Sequence, residues 1–215
     1  MKTLYLERST GECRNGDWVE KLELEDIERI VVGIGPGSFA GIRSALAFAQ
    51  GYALGKRSVE VYGLPSPCAI AAGRRGTLAV VGDARQGKLW IALFKEGRLE
   101  RSVYQIDASE LQLQLPAEGT FKVISPDDKR IGNVLKAMFG ERYLGEAFPT
   151  VEGLKAYAEA YPEELIKEPL PIYLNPAVRN CCSRDSSSRS ARCTAFRGAR
   201  DSFWRLRSSR GRVPS

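Results

Sequence analysis

Residues 31–55 read VVGIGPGSFAGIRSALAFAQGYALG: a short apolar run, a glycine-rich turn, then a long stretch of helix-forming residues. That succession is the strand–turn–helix step of an α/β protein. Gly33, Gly35, Pro36, Gly37 and Ser38 make the turn, which is expected to use positive φ at one or more glycines, with Ser38 as the helix N-cap. A helix is expected over about 38–54, stopped by Gly55, with Lys56-Arg57 suiting its carboxyl end. As a phosphate cradle the turn is weak. No Gly-Lys-Ser/Thr follows it, and although Gly35, Gly37 and Ala40 satisfy G-x-G-x-x-A, Pro36 removes one backbone donor.

The helix carries more information than the turn. Phe39, Ile42, Leu46, Ala49 and Ala53 recur at helical spacing and form an ordinary core face. The opposite side holds Ala40, Ser44, Ala47, Gly51 and Leu54, flanked by Arg43 and Gln50. A helix that is apolar or small nearly all round is expected to be buried on both sides. The small-residue stripe fits either close packing inside its own domain or a subunit interface.

Outward from this helix, strands and helices alternate. KTLYLERST (2–10) reads as a first strand, GDWVEKLEL (16–24) as a short hairpin partner, and LEDIERIVVG (24–33) as an acidic turn or helix entering a buried strand. SVEVYGL (58–64) alternates as a strand, and a small-residue helix near 66–73 ends at GRRG. TLAVVGDARQGKLWIALFKEGRLE (77–100) is the clearest hairpin, with turns at Arg85-Gln86-Gly87 and Glu96-Gly97. It echoes the N-terminus: each strand ends at an acid (Glu7, Asp83), followed by Arg, a glycine-containing turn and a strand with Trp. FKVISP (121–126) reads as a strand, 130–140 and 150–161 as amphipathic helices, and PLPIYLNPAVR (169–179) as an extended closing segment. Asp127-Asp128 after Pro126 reads as a turn or helix N-cap.

The net charge of +6 is unevenly placed. Nine Arg against two Asp make +7 in residues 180–215, which leaves −1 for residues 1–179. This stretch also holds nine Ser, three of the five Cys and no Lys, without hydrophobic periodicity, so disorder is expected. It reads either as an RNA-binding arm or as an out-of-frame translation. The chain has no histidine, which excludes Ser-His-Asp and Cys-His devices and His-ligated metals. No apolar run is long enough to span a membrane and no signal peptide is evident, so a cytoplasmic location without membrane attachment is expected.

GIGPGSFAGIRSALAFAQGYALG resembles the G-x-G-P-G-S-F-T-G-x-R-x-G signature of bacterial TsaB (YeaZ) proteins. VVGDARQGKLWIALF (80–94) resembles that family's D-A-R-x-G-x-[VL]-[YW] hairpin, and PIYLNPAVR (171–179) its Y-L-R-x-P segment. The resemblance implies two small RNase H-like α/β domains of the actin-like ATPase superfamily, at 1–76 and 77–179, with residues 180–215 as a tail outside the family pattern. It implies a non-catalytic scaffold in threonylcarbamoyl modification of tRNA. The partners would be a TsaD-type catalytic subunit and a TsaE-type ATPase, with tRNA met through the complex and a homodimer as a further assembly.

In that reading Ala40, Arg43, Ser44, Ala47, Gln50, Gly51 and Leu54 form the partner interface. ATP and a metal belong to the partner, and this chain has no catalytic residue, metal or cofactor of its own. Glu7, Ser9, Thr10, Asp83 and Arg85 would be a degenerate nucleotide site. The family's first strand usually ends D-T-[SA]-T, whereas this chain has Glu7-Arg8-Ser9-Thr10, which argues against nucleotide hydrolysis. Too few residues separate that strand from the glycine turn for the hairpin strand and long helix the family places there, so the first domain is expected to be reduced. An independent small ATPase of the same fold, and an RNA-binding module acting through the tail, are the alternative functions.

Overall fold

The computed structural model describes residues 2–10, 24–56, 58–115 and 121–174, all within one compact unit, residues 1–177. All but Leu24 of the expected hairpin partner at 16–24, the segment after Leu174 and the basic tail lie outside the described residues.

The first sheet has the order β1-β2-β3-β9, from β1 (Lys2–Leu6), β2 (Ile27–Gly33), β3 (Glu60–Leu64) and β9 (Ile166–Lys167). β1, β2 and β3 are parallel, and β9 runs antiparallel to β3. The second sheet has the order β6-β5-β4-β7-β8: β4 (Thr77–Arg85), β5 (Lys88–Lys95), β6 (Arg98–Asp107), β7 (Phe121–Ser125) and β8 (Tyr143–Glu146). β4, β5 and β6 form an antiparallel meander through both expected turns, while β7 and β8 add in parallel. The helices are α1 (Phe39–Gly55), α2 (Pro67–Ala71), α3 (Asp128–Phe139) and α4 (Val151–Ala160).

Alternation along the buried strands sorts side chains into separate cores. On β2, Ile30 and Val32 face α1 and pack with Ile42, Ala45, Leu46 and Ala49. Val31 points the other way, into a core shared with Leu64, Leu78, Val80, Phe94, Leu154 and Tyr157. That shared core ties the first sheet to the second through α2 and α4. Ala79, Val81 and Ile91 face a third core under α3, with Leu111 and Leu135. The chain crosses back to the first sheet near its end, where Ile172 N–H donates to the Ile34 carbonyl (2.9 Å).

Three expectations change. Gly55 is the last residue of α1 rather than the residue after it, and Lys56 is the cap, its N–H donating to the Tyr52 and Ala53 carbonyls. Phe39, assigned to the core face, is 48% exposed because it lies in the first turn, beyond the edge of β2, and pairs with Tyr173. The helix is not buried on both sides: Ala40, Arg43, Ser44, Ala47, Gln50, Gly51 and Leu54 are all exposed in this chain. Asp127 occupies the N-cap position of α3 as expected, although its side chain does not cap the helix. Its carboxylate accepts from the Asp83 N–H instead, at 3.0 Å.

Candidate functional site

The glycine turn is shaped by the end of β1. Ser38 N–H donates to the Ser9 carbonyl (2.5 Å), and Ser38 Oγ accepts from Gly41 N–H (3.3 Å), which makes Ser38 the expected N-cap. Three glycines spaced by four meet three consecutive residues of the 7–9 turn. A methyl group at Gly33 would overlap the Glu7 carboxyl, one at Gly37 the Ser9 carbonyl, and one at Gly41 the Arg8 carbonyl. Positive φ is required at Gly35 (+94°), whereas Gly33 is a glycine for close approach alone. The turn at the head of α1 therefore receives the chain's own backbone.

Glu7 is the buried floor of this arrangement. Ser9 N–H donates to its Oε1 at 2.7 Å. Burial pushes its carboxyl pKa up, against the pull of the hydrogen bonds it accepts. Asp83 repeats the device at the end of β4, accepting from Arg85 N–H at 2.8 Å. The echo seen in the sequence is thus a repeated local structure, an acid closing the turn two residues on.

Ser9, Thr10, Asp83 and Arg85 line one cleft of about 470 Å³, with Gly37 and Ser38 on its wall, whereas the buried Glu7 does not line it. It opens at the carboxyl ends of β1, β2, β3, β4 and β7, the ordinary ligand position of an open α/β sheet. Reading the sequence alone missed Ser66, Asp127, Arg130 and Tyr173, which also line it. Asp127 and Arg130 were legible only as residues just beyond a strand's carboxyl end; nothing in the sequence marked Ser66 or Tyr173. Asp83 Oδ2 lies 3.6 Å from Arg85 Nη1 and 3.4 Å from Arg130 Nη1, so the two guanidinium groups converge on one carboxylate. Burial raises the Asp127 pKa, while the Asp83 N–H and Arg130 oppose that shift.

The second candidate surface is the outer face of α1. Ala40, Ser44, Ala47 and Gly51 form an exposed small-residue stripe, and a methyl added at Gly51 meets nothing within 4 Å. Arg43 lies over the Phe39 ring (4.7 Å), and Leu54 is 83% exposed. The structure thus brings all seven expected interface residues onto one solvent face.

The family model for TsaD, described as tRNA N6-adenosine threonylcarbamoyltransferase, matches residues 19–123. An uncharacterized protein of Mycobacterium leprae is 31% identical over 162 residues, which is 71% of this chain and 38% of that protein. An uncharacterized protein of Mycobacterium tuberculosis is 40% identical over 78 residues, 35% of this chain and 36% of that protein. The chain thus spans less than two fifths of the length of these relatives. Among solved structures, YeaZ from Pseudomonas aeruginosa superposes with a TM-score of 0.63 at 18% identity, covering 80% of this chain and 99% of that one. A crystal structure of a Pseudomonas aeruginosa protein described as similar to peptidase YeaZ gives the same TM-score at 19% identity, with the same coverage. The fold is therefore that of YeaZ, the actin-like ATPase fold. No helix among the described residues is long and apolar enough to cross a membrane.

Proposed function

We propose, from the premise that this is a TsaB (YeaZ)-family protein, as its family match and its fold together support, that the chain is a non-catalytic scaffold in tRNA threonylcarbamoyl modification. It binds a TsaD-type catalytic subunit, which supplies the metal and the chemistry, and works alongside a TsaE-type ATPase. It meets tRNA through the assembled complex.

One observation carries this reading: the exposed α1 stripe of Ala40, Ser44, Ala47 and Gly51 on a YeaZ fold. Small residues let a second helix approach to backbone contact, and Leu54 and the Arg43–Phe39 pair supply larger groups at the rim. The chain has no histidine, so a histidine-held metal must come from the partner. Ala47→Arg tests the surface. The bulky cation is tolerated in the free chain because position 47 is exposed, and it should abolish co-purification with the TsaD-type subunit. Unchanged co-purification removes α1 as the interface.

A second reading, an actin-like small ATPase acting alone, draws on the convergence of Ser9, Thr10, Asp83 and Arg85 on one cleft. Against it, Glu7 is turned inward against Gly33, and Asp83 is already held by two arginines. ATP turnover by the isolated chain, lost in Asp83→Ala, would favour this alternative.

A further inference from the structure

The second sheet carries a basic recess that shares no lining residue with the cleft and includes no residue of α1. α2 ends at Ala71, and the chain turns through Gly73 (φ +72°) and Gly76 (φ +79°), which bracket Arg74 and Arg75. The tip between them is fastened on both sides. Arg74 N–H donates to the Ala71 carbonyl (3.0 Å) and Arg74 Nε to the Ile70 carbonyl (2.9 Å). Glu96 N–H donates to the Gly76 carbonyl (3.0 Å) from the adjoining β5–β6 turn. Lys122, an exposed residue of β7, stands in register with Leu78 of β4.

Arg74, Arg75 and Lys122, with Thr77, Leu78 and Leu144, enclose a recess of about 160 Å³. No acid lines it, and among the described residues none of the three cations has a salt-bridge partner. Residues 1–179 carry a net charge of only −1, so this is a local concentration and not a share of a basic body. Three cations held together without a counter-charge repel one another, and a polyanion laid across them relieves that repulsion. A guanidinium fixed through its Nε still presents its outer nitrogens, the geometry that suits phosphate oxygens.

We propose that Arg74, Arg75 and Lys122 form a docking point for the sugar–phosphate backbone of RNA. This rests on the reading that the complex acts on tRNA, and gives the scaffold its own contact with that substrate. Leu78 and Leu144, which also line the recess, offer no side-chain hydrogen-bonding group to a base edge, so the contact positions RNA through its backbone without reading its sequence.

The test titrates tRNA into the full chain at several salt concentrations. The wild type is compared with Arg74→Glu/Arg75→Glu/Lys122→Glu and with a control of equal charge change, Lys129→Glu/Lys136→Glu/Lys155→Glu. Each lost phosphate contact lowers the salt slope by about 0.7–0.9, so the recess variant should bind with a slope shallower by about 2–3 and an affinity at least about tenfold weaker. The control should keep the wild-type slope. Arg75→Gln/Lys122→Gln, which removes two charges without introducing acids and keeps unbranched polar side chains, guards against misfolding and should lose about two contacts' worth of slope.

Equal weakening by the recess variant and the control, or a recess variant with wild-type slope, overturns the proposal. So does a recess variant that loses binding to phosphatidylserine vesicles while keeping that to tRNA. Failure of the scaffold reading is distinguishable, because it shows in partner co-purification, and these titrations contain no partner.

Discussion

Gly41→Ala should destabilise the protein although it improves the intrinsic helix propensity of α1. In a free helix, alanine is favoured over glycine by about 0.8–1.0 kcal/mol. Here a methyl group at position 41 would fall inside van der Waals contact of the Arg8 carbonyl oxygen and 3.1 Å from its carbon. That carbonyl is backbone, in the turn whose next residue bonds the N-cap of α1, so it cannot swing aside as a side chain would. Overpacking of this kind costs about 1–3 kcal/mol, and a rigid neighbour puts it near the upper end. The net effect is a loss of about 2 kcal/mol, or about 4–8 °C in melting temperature for a chain of this size. Gly51→Ala is the internal control, on the same helix with open space around the new methyl. It should gain up to about 1 kcal/mol, raising the melting temperature by about 2–4 °C. Thermal and urea denaturation of the two variants beside the wild type read both signs. If Gly41→Ala is as stable as the wild type or more so, the β1 turn does not seat on α1 and the account of the glycine signature is wrong.

Glu7→Gln should alter stability in a pH-dependent way. The folded-state pKa of Glu7 is raised above its ordinary value of 4.5, chiefly by burial. The folded protein therefore holds a proton that the unfolded chain has released. The resulting stabilisation is present at acid pH and is lost as pH rises through the folded pKa. Glutamine keeps an acceptor for the Ser9 N–H but does not titrate, so the variant's stability relative to wild type should increase from acid to alkaline pH in urea melts. A difference that is flat with pH contradicts the burial of a titrating carboxyl. Tyr157→Phe should cost about 1–3 kcal/mol in the same assay, because the Leu99 N–H (2.9 Å) and Glu164 Oε2 (2.6 Å) both lose their partner. A neutral result would mean that water replaces the hydroxyl without cost.

The α/β class and most elements were legible because strand and helix periods differ, and because residues 77–100 alternate so cleanly between their two turns. The grouping of Ala40, Arg43, Ser44, Ala47, Gln50, Gly51 and Leu54 on one side of α1 was legible from helical spacing, but their exposure was not, because a stripe of small residues reads as a buried face. What the spacing left open was which neighbour each glycine serves. Gly33 and Gly37 look like turn glycines and Gly41 lies in the expected helix, yet all three are small because Glu7, Ser9 and Arg8 pass over them, a contact between segments separated by more than twenty residues. Asp127 sits at the N-cap position of α3 as read, but its carboxylate serves the Asp83 N–H, a partner that only the pairing of β4 with β7 brings near. The cleft was half visible. Its Ser9, Thr10, Asp83 and Arg85 were marked by the family resemblance, whereas Ser66 and Tyr173 reach it through tertiary packing and carry no local mark.

The central claim is that this chain enables a partner's chemistry without performing it. The most direct measurement is a reconstitution of TsaC-, TsaE- and TsaD-type proteins with tRNA, threonine, bicarbonate and ATP, run with and without this chain, with threonylcarbamoyladenosine quantified in the recovered tRNA. The account predicts that modification collapses when the chain is omitted and returns on adding it back. Equal yields of modified adenosine with and without the chain would contradict it.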